Sequence, residues 1–122
     1  MLNMTKLEAL GIQTEEGLAY CADDPEFYEE MLMDFVSEAE SRADDLQRFF
    51  ACGDWANYRI AVHSLKNTAK MVGALALSAQ ALAMEQAAKE LHADEIIACH
   101  DSLMADVHTL TGGILEAGRE TP

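Results

Sequence analysis

Apolar residues recur every three or four positions along most of the chain, which is the spacing of one face of an α-helix. The clearest example begins at Trp55, and its apolar positions are Trp55, Tyr58, Val62, Leu65, Ala69 and Val72. Runs that alternate strongly between apolar and polar residues, as in half-buried strands, are missing from the sequence. The pattern therefore predicts an all-α protein.

Residues suited to helix ends bound a first long helix. Asp24 is a natural N-cap, Pro25 fits the first helical position, and Gly53 marks the end. One face of this helix is predicted to be buried, at Phe27, Met31, Phe35, Ala39, Leu46 and Phe49. Acidic residues occupy the other face, which is therefore expected to lie against water.

Two short helices are predicted before this long one. Thr5 and Glu8 have the spacing of a capping box, and Gly11 can close the helix that follows. A second short helix is predicted from Thr14.

Three more long helices are predicted in the rest of the chain. Asp54 can cap the first of them, and Gly73 ends or bends it. The Ala-rich residues 74–92 form the second, and the third opens near Asp94. The apolar stripe of this last helix is predicted at Ile97, His100, Met104, Val107, Leu110 and Ile114.

The very short connections decide how these helices pack. A short loop cannot carry the chain back to the end where the helix began, so neighbouring helices must run antiparallel. We therefore expect an antiparallel up-down four-helix bundle with one or two short N-terminal helices. At 122 residues, of which 50% are apolar, the chain can bury one core, and a single domain over residues 1–122 is predicted.

The net charge of -14 limits the kinds of partner. Nucleic acids and anionic membrane surfaces bind clustered Lys and Arg, and this surface would repel both. No apolar run approaches the roughly 20 residues that are needed to cross a bilayer. We therefore predict no nucleic-acid partner and no membrane association.

The cysteines and histidines do not form a ligand pattern. The three cysteines lie far apart and have no C-x-x-C spacing, at Cys21, Cys52 and Cys99. This spacing indicates neither a disulfide framework nor a structural zinc site, and it fits a reducing cytoplasm. His92, His100 and His108 lack the spacing of bundle metal sites. We therefore predict no metal site, with His100 in or beside the core and His92 in a loop.

One helix face combines a histidine with cations. Arg59, His63, Lys66, Asn67 and Lys70 fall on one side of the predicted helix at spacings of three and four. Neutral imidazole has a nitrogen lone pair that can attack phosphorus, and Lys66 could neutralise charge on the transferred group. The alternative interpretation is an ordinary solvent-exposed histidine on an amphipathic helix.

The same region is free of acidic residues. No Asp or Glu occurs between Asp54 and Glu85, where an even spread of the 22 in the chain would place about five. A carboxylate beside the histidine would repel an incoming phosphoryl group. The gap therefore favours a site that accepts an anion over a chance arrangement.

The segment HSLKNTAKMVG resembles the motif of histidine-containing phosphotransfer (HPt) domains of phosphorelays. His63 matches the phosphorylated histidine, Lys66 the lysine three residues on, and Gly73 the glycine ten residues on. Leu65 matches a buried apolar position, and Glu85 the usual glutamate of the next helix. The resemblance extends over roughly residues 11–115.

The resemblance implies a function in a multistep two-component phosphorelay. His63 would take a phosphoryl group from the aspartate of one receiver domain and pass it to another, with Lys66 stabilising the phosphate charge. The expected partners are response-regulator receiver domains, a hybrid sensor histidine kinase, or both, and the partner would supply Mg²⁺. Docking is expected around Arg59, Asn67, Lys70 and Gly73. No ATP-binding motif is present, so a phosphocarrier without kinase activity or a cofactor of its own is predicted.

Asn67 departs from the family pattern, which commonly has glycine directly after the lysine. The asparagine either fits a matching pocket in the partner, donates a hydrogen bond to the phosphate, or weakens transfer. The alternative function is therefore an HPt-like interaction module of the same fold that is not phosphorylated.

Overall fold

The computed structural model describes residues 2–119, and the predicted domain 1–122 extends beyond this range at both ends. The described residues form six helices and no strands, so the all-α prediction is confirmed. The helices are α1 (Met4–Ala9), α2 (Thr14–Tyr20), α3 (Pro25–Cys52), α4 (Trp55–Met71), α5 (Leu75–Lys89) and α6 (Ala93–Arg119).

The four long helices form a closed bundle. Each of α3, α4 and α5 packs against the helix that follows it, and α6 completes the ring by packing against α3. Loops of two or three residues join these helices, so neighbours run antiparallel. The predicted up-down four-helix bundle and the two short N-terminal helices are confirmed. Of these, α1 packs on α6, and α2 packs on α3 and α4.

Side chains from all four long helices and from the N-terminal segment fill one core. Its largest fully buried members are Tyr28, Tyr58, Leu7, Ile12, Leu32, Leu46, Leu65, Ile96, Leu103, Ile114, His100 and Val62. The predicted burial of Tyr58, Val62, Leu65, Ala69 and Val72 along α4 is confirmed. His63 lies on the same helix but outside this stripe, so the packing of α4 directs it to the surface.

Two predicted core positions are wrong by one residue. Phe27 is 45% exposed and Ile97 is 59% exposed, whereas their apolar neighbours Tyr28 and Ile96 are fully buried. Successive helical residues are about 100° apart, so a buried stripe that includes Tyr28 or Ile96 can leave the neighbouring Phe27 or Ile97 facing solvent. Both errors fall among the first five residues of a helix, where few periodic positions are available to define the buried face.

The predicted ends of α3 are confirmed. Asp24 caps its first turn by accepting hydrogen bonds from the backbone N–H groups of Glu26 and Phe27, and Pro25 occupies the first helical position. Gly53 ends the helix in the left-handed conformation with φ 66°. The predicted N-cap of α4 is likewise confirmed, because Asp54 accepts a hydrogen bond from Asn57 N.

The capping box predicted for α1 is wrong. The helix begins one residue after Asn3, whose Oδ1 accepts a hydrogen bond from Lys6 N at 3.1 Å. Thr5 is exposed within the first turn. Glu8 instead accepts a hydrogen bond from Thr14 Oγ1 at 3.1 Å, which ties α1 to α2. Asn3 is as good a cap as Thr5, so capping chemistry alone did not identify the helix start.

Contacts from α3 and from the N-terminal segment hold the end of α4 in place. Tyr28 donates a buried hydrogen bond to the carbonyl oxygen of Val72 at 2.8 Å. Gln13 N donates to the carbonyl oxygen of Gly73 at 2.8 Å. Gly73 has φ +86°, and a Cβ there would clash with the Gln13 backbone, so this close contact requires glycine. These contacts fix the turn from which α5 runs back beside α4.

Candidate functional site

His63 lies at the contact between α4 and α5. Its side chain is 52% exposed, although α4 is buried along its other face. α5 returns antiparallel to α4 and brings Glu85 beside it, and Ser78 Oγ donates to the carbonyl oxygen of Lys66 at 3.0 Å. The site therefore combines residues that are close in sequence on α4 with one carboxylate from α5.

Glu85 binds two side chains of α4 at once. Its Oε2 lies 2.6 Å from His63 Nδ1, and its Oε1 accepts a hydrogen bond from Lys66 Nζ at 2.7 Å. A carboxylate can only accept, so Nδ1 carries the ring hydrogen and donates it. Lys66 Nζ also lies 3.3 Å from Nδ1. Both groups are then donors, so this approach is not a hydrogen bond.

The opposite nitrogen of His63 is the one with a lone pair. With the hydrogen on Nδ1, neutral imidazole leaves Nε2 as an acceptor. Asn67 Nδ2 lies 3.3 Å from Nε2 and can donate to it. The site therefore presents an oriented imidazole whose nucleophilic nitrogen faces away from Glu85 and whose ring is half exposed to solvent.

The protonation of Glu85 follows from its surroundings. Partial burial raises the pKa of this carboxyl, but hydrogen bonds from Lys66 and His63 and the positive charges beside it outweigh burial, so its pKa lies below the ordinary value. Glu85 is therefore an anion at neutral pH. It stabilises the hydrogen on Nδ1 and would stabilise an imidazolium more strongly.

The acid-free stretch of the sequence does not leave the histidine without a neighbouring carboxylate. Residues 55–84 contain no acid, but Glu85 itself, at the edge of that gap, contacts the ring. Lys66 pairs with it and offsets its charge. The carboxylate sits at Nδ1, whereas Nε2 is contacted by a neutral amide. The negative charge is therefore on the side away from the nucleophilic nitrogen.

The other predicted site residues divide into two groups. Arg59, Asn67 and Lys70 are exposed on the same side of α4 as His63. Gly73 is buried in the turn after α4, where its backbone contacts Gln13. Its predicted place in a docking surface is therefore not supported, since its close packing accounts for the glycine.

Two features of the site were missed in the sequence. The contact of Glu85 with both His63 and Lys66 depends on how α5 packs, and the family resemblance was its only signal. Ile60 is 67% exposed and Met71 is 39% exposed, and the positions of both on α4 place them on the side of His63. Exposed apolar residues at three and eight positions from the histidine could have been noticed from helical spacing alone.

The described residues offer no metal centre. No group of three or more His, Cys, Asp or Glu side chains in residues 2–119 is arranged to hold an ion. His100 is buried, as predicted: its Nδ1 accepts from Tyr58 OH at 2.9 Å and its Nε2 donates to Gln47 Oε1 at 3.1 Å. Cys21, Cys52 and Cys99 are free thiols. Among the helices described, none has the length and apolar character to span a membrane.

Comparison with known protein families identifies a match for most of the bundle. A family model described as the Hpt domain matches residues 30–106, which is more than half of the chain. The matched segment runs from α3 into α6 and contains His63, Lys66, Asn67 and Glu85. No curated protein and no solved structure matches the chain.

Proposed function

The chain belongs to the Hpt domain family, whose members transfer phosphoryl groups through histidine in phosphorelays, and we propose that it relays a phosphoryl group between receiver-domain aspartates through phospho-His63. The observation that carries the proposal is the arrangement at the ring. Glu85 Oε2 lies 2.6 Å from Nδ1 and keeps the ring hydrogen on that nitrogen. The lone pair is then on Nε2 of a half-exposed ring.

The transfer forms one bond and breaks one. Nε2 of His63 attacks the phosphorus of a receiver's aspartyl phosphate, and the bond between phosphorus and the aspartate oxygen breaks. The aspartate leaves as a carboxylate, and the hydrogen stays on Nδ1, so the phosphorylated ring carries a positive charge. Glu85 stabilises that charge through its hydrogen bond. The reverse sequence passes the phosphoryl group to a second receiver.

Lys66 partly neutralises the negative charge of Glu85. Its ammonium is bonded to Glu85, so it reduces the repulsion between this carboxylate and an incoming phosphoryl group. It is only 21% exposed, which makes its charge less screened than that of a free surface lysine. We propose that it stabilises phosphate charge from the Nδ1 side of the ring.

The partner would supply the rest of the chemistry. Phosphoryl transfer depends mainly on positioning and charge stabilisation, and receiver domains bring the aspartate and Mg²⁺. This chain is then a phosphocarrier and acts without ATP. Receiver domains, a hybrid sensor histidine kinase, or both are the proposed partners. The cytoplasm, where such partners act, is the proposed location.

Docking is proposed on the exposed side of α4. Ile60 and Met71 would supply apolar contact area on this side, and Arg59 and Lys70 a cationic rim. A body with net charge -14 would repel the acidic pocket of a receiver, whereas this rim attracts it. The charge pattern would therefore direct a receiver toward His63.

The test is transfer from a phosphorylated receiver domain to the wild-type protein and to His63→Gln. We expect label on the wild type alone, lost in acid and kept in alkali, as for phosphohistidine. A folded wild-type protein that takes no label from any available receiver would contradict the proposal. That result would favour the interaction module, for which the only sequence feature is Asn67 in place of the usual glycine.

A further inference from the structure

Asn67 contacts the nitrogen that the proposed transfer uses. It lies one helical turn after His63, and its Nδ2 is 3.3 Å from Nε2. Only a hydrogen-bond donor can bind Nε2, because Nδ1 donates to Glu85 and Nε2 therefore has only a lone pair. Among the described residues, Asn67 is the side chain that hydrogen-bonds to Nε2.

This contact occupies the lone pair before transfer. Nε2 must be free to attack phosphorus, so the amide hydrogen bond has to break first. A bond of 3.3 Å between two neutral groups is long and therefore weak. Asn67 is also exposed, so its side chain can rotate aside without disturbing the core. The resting contact is thus one that an incoming phosphoryl group can displace.

The same amide can hydrogen-bond to the phosphoryl group. We propose that Asn67 is a phosphoryl-positioning residue whose amide N–H donates to Nε2 in the free protein and to a phosphoryl oxygen once His63 is phosphorylated. This inference rests on the proposed function of His63. The phosphorus atom would be bonded to Nε2, so its oxygens would lie within reach of the Asn67 amide, which already hydrogen-bonds to that nitrogen.

Replacing the amide hydrogen bond to Nε2 by one to a phosphoryl oxygen favours the phosphorylated form of His63. A hydrogen bond to a charged oxygen is roughly twice as strong as one between neutral groups. Lys66 cannot replace the amide without leaving Glu85, to which it is bound at 2.7 Å on the Nδ1 side of the ring. Asn67 would therefore serve the Nε2 side, where the phosphate is held, and would do so from this chain rather than from the partner.

The test uses a small donor so that docking plays no part. Phosphoramidate breaks its P–N bond, Nε2 forms the new P–N bond, ammonia leaves, and the hydrogen stays on Nδ1. Protein with ¹⁵N-labelled histidine and asparagine is brought to equilibrium in a fixed mixture of phosphoramidate and ammonia. NMR then gives the Nε2 shift, the Asn67 amide proton shift, and the ratio of phosphorylated to free His63.

Three substitutions of Asn67 and one control substitution test whether the Asn67 amide itself causes the effect. Asn67→Ala removes the donor, Asn67→Asp keeps the shape but repels phosphate, and Asn67→Gln keeps an amide on a longer side chain. Gln86→Ala is the matched control. It removes an exposed amide from α5 next to Glu85, and within residues 2–119 the structure gives Gln86 no side-chain hydrogen bond to His63.

We expect two changes in the resting and phosphorylated states. In Asn67→Ala the Nε2 resonance should move toward that of a nitrogen without a hydrogen bond, and the phosphorylated-to-free ratio should fall about three- to tenfold. Asn67→Asp should lower the ratio further, and Asn67→Gln should restore part of it. In the wild type, phosphorylation should shift the Asn67 amide protons.

The outcomes distinguish this inference from the proposed function. Phosphorylated wild type with an unshifted Asn67 amide, or an Asn67→Ala ratio equal to that of Gln86→Ala, would overturn the role of Asn67 and leave His63 as the acceptor. A wild-type His63 that takes no phosphoryl group from the donor or from any receiver would overturn both.

Discussion

At the residue scale, the proposed function depends on two side chains, each of which contacts a different ring nitrogen of His63. Glu85 accepts a hydrogen bond from Nδ1, and the amide of Asn67 contacts the lone pair of Nε2. A free imidazole exchanges between two tautomers, whereas a carboxylate acceptor at one nitrogen selects a single one. The lone pair is thus on Nε2 in the free protein, as the proposed transfer requires.

We predict that Glu85→Gln slows phosphotransfer to His63 about tenfold, because an amide oxygen accepts from Nδ1 without the charge that stabilises the phosphorylated ring. The measurement is the initial rate of label uptake from a phosphorylated receiver. Glu90→Gln is the matched control, since Glu90 is exposed just after α5 and contacts His92. A Glu85→Gln rate equal to that of the control would show that the carboxylate charge has no part in transfer.

The predictability of the site also differs from residue to residue. His63, Lys66 and Asn67 lie on one helix, so their shared side followed from spacings of three and four in the sequence. Glu85 is 22 residues from His63, and only the packing of α5 against α4 brings them together. The absence of nearby acids in the sequence therefore gave a wrong picture of the charge around the ring.

At the scale of the elements, the buried faces of long helices with strong periodicity were predictable, except near the starts of α3 and α6. The buried stripe of α4 agrees with the pattern along its whole length except at Trp55, which is only partly buried. In α3 and α6, the pattern predicted burial of Phe27 and Ile97, whereas Tyr28 and Ile96 are the buried residues. Both members of each pair are apolar. Periodicity cannot decide between adjacent apolar residues at a helix end.

The end of α5 carries backbone strain that a substitution should relieve. Leu91 has φ 59°, and the hydrogen bonds from Leu91 N to Ala88 O and from His92 N to Ala87 O form a Schellman motif in which glycine is usual. The side chain of Leu91 is 72% exposed, so its removal loses little burial. A non-glycine residue in this conformation costs roughly 1 kcal/mol.

We therefore predict that Leu91→Gly raises the free energy of unfolding by about 0.5–1 kcal/mol, measured by denaturant titration. Glu90→Gly is the control, because Glu90 has φ -89° and gains nothing from glycine. It should lower the free energy of unfolding. A Leu91→Gly protein no more stable than wild type would show that the left-handed conformation is not strained here.

At the scale of the whole molecule, one buried histidine links the stability of the bundle to pH. His100 of α6 bonds to Tyr58 of α4 and Gln47 of α3, and its ring stacks on Phe50 at 3.9 Å between centroids. Burial lowers the pKa of His100, and Asp101 only partly opposes this effect. The histidine is therefore held neutral at the junction of three helices.

The folded-state pKa of His100 lies below that of the unfolded chain, which is about 6.5. The contribution of the neutral ring to stability is thus fully present above about pH 6.5 and is lost as the pH falls toward the folded-state pKa. We predict a decrease in the free energy of unfolding over this range, with a slope of up to about 1.4 kcal/mol per pH unit.

The measurement is the free energy of unfolding from pH 7.5 to about 5 for wild type, His100→Gln and His108→Gln. His108 lies exposed on the same helix and serves as the control. His100→Gln should weaken the dependence on pH, whatever its effect on stability at neutral pH. An equal slope in wild type and His100→Gln would assign the pH dependence to other groups.

In the proposed function the whole bundle presents one ring nitrogen to a partner, so the most direct measurement is to identify the atom that is phosphorylated. Protein with ¹⁵N-labelled histidine is phosphorylated by a receiver domain, and the coupling between ³¹P and ¹⁵N is recorded with His63→Gln as the blank. We predict one coupled nitrogen, Nε2 of His63, with the hydrogen retained on Nδ1. Phosphorus on Nδ1, on another histidine, or on no histidine would contradict the account.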